Sequence, residues 1–181
     1  MTSNLIIENK LTPSQLVSAL DALGITFLRG DAAIVDEIKL DRLMAELAHS
    51  AEARLRLALI PLLLRHPEFS TYTIAALQML PPTSAVTLRC YYMAAYWLQK
   101  KYRPRLIACL GVIQPLPDLF GAELGLTAYM TPNEALHALA EQQQTLSGRV
   151  LNWVGSYEHA VQSWLRFLEQ EVQWMQSPHS N

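Results

Sequence analysis

Carboxylates are missing from a long stretch in the middle of this chain. Between Phe69 and Pro117 there are 49 residues with no Asp or Glu, yet the same stretch carries Arg89, Lys100, Lys101, Arg103 and Arg105. Charge is scarce throughout, at 17% of residues against 51% apolar, which excludes a disordered polyelectrolyte. Only two cysteines occur, Cys90 and Cys109, both among apolar neighbours and without metal-ligand spacing. That excludes a disulfide framework and predicts buried thiols, as in a reducing compartment. The first ten residues lack a basic start followed by a signal-length apolar run, and no apolar run approaches the ~18 residues of a membrane span. A soluble, cytoplasmic protein with no membrane partner is therefore expected.

Familiar catalytic signatures are absent as well. There is no Gly-rich phosphate loop, HExxH, CxxC or GxSxG. Glu134 and His137 stand in the Glu-x-x-His spacing of di-iron bundles, but such bundles need a second copy and two further glutamates. Neither a metal nor another cofactor is expected. Tyr157-Glu158-His159 places an acid beside a base, but neighbouring helical residues point about 100° apart. An all-α ribonuclease carrying Arg-x(4–6)-His gains nothing from Arg149 and His159, which are too far apart, or from Arg65-His66, which are adjacent. No catalytic residue is named on these grounds.

What is present is helical patterning. Thr12-Pro13 and Thr131-Pro132-Asn133-Glu134 are helix starts, each with a threonine N-cap and proline at the first helical position. Apolar residues at 40, 43, 44 and 47 predict an amphipathic helix, and a further helix over 51–64 is kinked or divided by Pro61. His66-Pro67 stops it. The most apolar-aromatic helix, Thr83 to Tyr102, has two apolar stripes and so is expected to be buried on two sides, capped by Thr83 or Ser84. A last helix is expected to open at Ser156, after Gly155. Ile25 to Leu28 predicts either one short extended segment or a linker. The sum is an all-α, irregular single domain over residues 1–176, with seven to nine helices around the central helix 83–102 and a loose tail at 177–181.

The charge layout supplies the candidate site. Residues 1–68 sum to −2, residues 69–117 to +5 and residues 118–181 to −5. Either the acidic C-terminal helices pack on the basic middle, or the middle meets an anionic partner. The binding candidates are Arg89, Tyr92, Tyr96, Lys100, Lys101, Arg103 and Arg105. Lysine and arginine neutralise phosphates, and tyrosine stacks on bases or hydrogen-bonds phosphate. A nucleic-acid regulator is thus one expectation, and an enzyme built from Glu158, His159 and His137 another. The leading one is a non-enzymatic helical module that binds another protein, because no catalytic constellation is present.

Four stretches, Leu23 to Leu28 (LGITFL), Leu55 to Phe69 (LRLALIPLLLRHPEF), Pro115 to Leu126 (PLPDLFGAELGL) and Asn152 to His159 (NWVGSYEH), resemble a small uncharacterised bacterial family of helical proteins. That family is associated with nucleotidyltransferase partners of the toxin–antitoxin kind. The resemblance implies a two-gene bacterial module and no catalytic residue. Gly24 to Asp31 is also superficially similar to the strand and glycine turn of a minimal nucleotidyltransferase. Such an enzyme needs a Gly-Ser turn and metal-binding carboxylates; here Asp31 follows Gly30, and no Asp-x-Asp occurs. The companion of such an enzyme is the expectation, rather than the enzyme.

Overall fold

The computed structural model describes residues 10–26 and 38–176, and among them the chain is all-α, with no strand. The helices are α1 (Pro13–Ala22), α2 (Leu40–His49), α3 (Ala53–Leu57), α4 (Leu59–Arg65), α5 (Thr73–Gln78), α6 (Pro82–Lys101), α7 (Arg103–Leu110), α8 (Pro132–Ser147) and α9 (Trp153–Gln176), with a 3-10 turn at Pro67–Tyr72 before α5. No helix among the described residues is long and apolar enough to cross a membrane. Of the expected extended segment, Ile25 is fully buried, while Phe27 and Leu28, like the tail 177–181, lie outside the described residues.

Local chemistry sets the helix ends. Thr12 accepts from the backbone N–H of Gln15 and Thr131 from that of Glu134, while the Gln15 and Glu134 side chains reach back to the cap N–H, so both starts are full capping boxes. Pro61 cannot donate to the carbonyl of Leu57, and the expected 51–64 helix divides there, into α3 and α4 around Ala58. The central helix begins earlier than expected. Pro82 takes the first helical position with Pro81 as N-cap, so Thr83 and Ser84 lie inside the first turn rather than capping it. α7 starts at Arg103, with Pro104 in its first turn. α9 opens at Trp153 instead of Ser156, because the Asn152 side chain accepts from the N–H of Gly155 at 2.9 Å and caps the helix upstream of the glycine.

α6 packs chiefly against α8 and α4 and also touches α2, α7 and α9. Every residue from Cys90 to Ala95 is buried, so the helix is enclosed on all sides along its middle turns. Ala94 and Ala95 have little side chain there and let neighbouring helices approach. Gln99, 3% exposed, is a buried polar group with full employment: its Nε2 donates to the Gln114 carbonyl at 2.9 Å and its Oε1 accepts from Leu116 N–H at 2.8 Å. These two bonds clip the 113–117 connection onto α6. Tyr157 of α9 packs edge-on against Tyr91 and its hydroxyl donates to Gln143 of α8, which ties three helices at one buried point.

Candidate functional site

The seven residues singled out at the basic-aromatic end of α6 do not form one open surface. Lys101 donates to the Glu158 carboxylate, and the Tyr102 hydroxyl donates to the other oxygen of the same group. Arg105 makes a two-pronged pair with Glu169, Nε to Oε1 at 2.8 Å and Nη2 to Oε2 at 3.0 Å. Arg89 pairs with Glu123 at 3.1 Å. Both Glu158 and Glu169 belong to α9, so the acidic C-terminal helix lies on the basic middle of the chain.

Tyr92, expected among the binding residues, is not at the surface. It is fully buried, its hydroxyl donates to the Pro117 carbonyl at 2.8 Å, and its ring meets Phe120 edge-on. Burial pushes its pKa up, so it stays a neutral donor. Helical spacing does put it in line with Arg89 and Tyr96, but the 117–120 segment covers it. Tyr96 is half-buried against Trp97. Lys100 is exposed and sits over the Tyr96 and Trp97 rings at 4.3 and 4.5 Å. Arg103 is exposed, and no carboxylate among the described residues pairs with it.

The Arg105 hydrogen bonds hold the Glu169 carboxyl below its ordinary pKa of 4.5. A depressed glutamate contributes stability above its unfolded pKa and loses it as pH falls through the folded value. Stability should therefore decline on acidification from about pH 4.5 downward. Arg105→Gln should flatten that decline, measured by urea unfolding at a series of pH values.

The acid–base residues do not gather. Glu158 is held by Lys101 and Tyr102, His159 is exposed with Nε2 3.5 Å from the Ser163 hydroxyl, and His137 is exposed on α8. Glu134 is occupied by its capping box. Among the described residues no group of three His, Cys, Asp or Glu is placed to hold a metal. Both cysteines are free; burial raises the Cys90 thiol to about 12, which leaves it protonated and inert.

A different cluster escaped the sequence reading. A cavity of about 400 Å³ lies between the end of α2, α3, the first turns of α6, the end of α8 and the start of α9. His49, Arg56, Ser84, Thr87, Tyr91 and Arg149 line it, and no Asp or Glu among the described residues does. His49 Nδ1 is 2.8 Å from the Ser84 hydroxyl. Arg56 donates to the carbonyls of Ser50 and Ala51 at 2.7 and 2.8 Å, which fixes its guanidinium at the wall. The one available signal was spacing. Arg42 and His49 stand with six residues between them, an Arg-x(6)-His pair. Arg42 lies 3.9 Å from Glu46 and is not among the residues that line the cavity.

No protein-family model matches the chain, and no curated protein or solved structure is significantly similar to it.

Proposed function

We propose that this protein is a non-enzymatic helical interaction module that docks on another protein through the end of α9. One observation carries the reading. The apolar stripe of α9 is buried through Leu165 and Leu168 and then continues through the half-buried Val172 to the exposed Met175. Met175 and its neighbour Trp174 are each 80% exposed. A tryptophan beside a methionine at a helix end suits the centre of an interface, where a few large side chains supply most of the affinity. Glu171 is exposed next to them and favours a partner with basic residues around an apolar helix face.

The resemblance to companions of nucleotidyltransferases makes such an enzyme, encoded in the same two-gene bacterial module, the partner of first choice. A nucleic-acid role has weaker support, because Arg89, Lys101 and Arg105 are spent on carboxylates. Lys100 and Arg103 alone would neutralise about two phosphates, a shallow salt dependence.

The double substitution Trp174→Ser with Met175→Ser should leave the fold intact, since neither side chain contributes to the core. Burying each side chain in a complex is worth about 1.5–3 kcal/mol, so binding to the co-purifying partner should weaken by about a hundredfold or more. Calorimetric titration of the partner with both proteins reads this out. Unchanged affinity would remove the α9 end from the interface.

A further inference from the structure

We propose that the cavity lined by His49, Arg56 and Arg149 binds a small phosphomonoester, a role that does not rest on the docking reading. Its volume, about 400 Å³, matches a small phosphorylated metabolite rather than a polymer. What sets it apart is its charge. At the other end of α6 the cations Lys101 and Arg105 have carboxylates; here two arginines line one cavity to which no Asp or Glu among the described residues contributes. Arg56 spends one nitrogen on the carbonyls of Ser50 and Ala51 and also hydrogen-bonds the Tyr91 hydroxyl, which leaves part of its five N–H donors for a ligand. Arg149 follows the left-handed turn at Gly148, is exposed, and has no carboxylate partner among the described residues.

The neutral donors agree with the charged ones. Ser84 brings a hydroxyl from α6 beside His49, Thr87 lines the same face with its own proton given to the Thr83 carbonyl, and Tyr91 lies one turn further on. Burial raises the pKa of Tyr91, with the nearby Arg56 opposing the rise, so its phenol remains a donor at neutral pH. The first turn of α6 has no side-chain cap and no acidic residue, which leaves the positive end of a 20-residue helix at the cavity wall. Two guanidinium groups, the Ser84 hydroxyl and a helix end offer more donors than the two oxygens of a carboxylate can accept. A tetrahedral phosphate dianion, with three terminal oxygens, uses them. The ester substituent would leave through the open side of the cavity.

The test is a titration of the purified full chain with inorganic phosphate at constant ionic strength, following the imidazole resonances of His49 by NMR. Saturable shifts are expected with phosphate and none with acetate. Arg149→Ala, an exposed position that the fold does not need, should weaken phosphate binding about tenfold or more. Arg166→Ala, on α9 and outside the cavity, should bind as the parent does. Shifts that do not saturate, or Arg149→Ala binding as tightly as the parent, would overturn the proposal.

Discussion

Trp164→Ala should cost about 3–5 kcal/mol, the range for removing a large aromatic side chain from a core. Trp164 has no exposure, and its helix packs on α4, α7 and α8 as well as α6. At this chain length each kcal/mol lowers Tm by about 2–4 °C, so a fall of about 6–20 °C is expected in a thermal melt. The indole N–H of Trp164 is buried without a partner among the described residues, which makes Trp164→Phe informative. It creates a smaller cavity and also removes that unpaired donor, so its cost should be well under half that of the alanine variant. Loosening α9 has a second consequence, because Glu158 and Glu169 travel with it. Lys101 and Arg105 would lose their partners, and the basic end of α6 would be uncovered. An alanine variant as stable as the parent would mean that α9 is not part of the core.

Gln99→Leu should cost about 2–4 kcal/mol although the leucine is more apolar, because a buried N–H and a carbonyl both lose their partner. The Gln114 carbonyl and the Leu116 N–H are those groups. The damage should be local at first. Amide exchange at Leu116 should speed up before the interior of α6 is affected, since the clip holds the 113–117 connection and not the helix itself. Hydrogen-exchange NMR separates the two. Uniform loss of protection across α6 would show that Gln99 supports the core rather than the connection.

The features legible in the sequence were those decided by neighbours along the chain. Thr12-Pro13 and Thr131-Pro132-Glu134 specify their helix starts with local bonds alone. Two apolar stripes between 83 and 102 were enough to predict that α6 is enclosed. Gly155 misled because glycine usually weakens a helix; here a Cβ at 155 would stand 2.5 Å from the Asn152 side chain that caps α9. Tyr92 misled for a tertiary reason, as the segment that covers it lies 25 residues further on. The charge layout left two readings, and only packing could place Glu158 and Glu169 against Lys101 and Arg105. The cavity was the least legible feature, since His49, Arg56, Thr87 and Arg149 share no periodicity and meet only when five segments assemble.

The proposal of a docking end on α9 is tested most directly by the mass of the protein as purified under native conditions from its own cell. The chain alone weighs 20.4 kDa. The docking reading predicts a heavier species containing one defined partner in fixed stoichiometry, reduced to the mass of the chain alone in the Trp174→Ser, Met175→Ser variant. A wild-type protein that elutes with the mass of a single chain and retains no partner would contradict it.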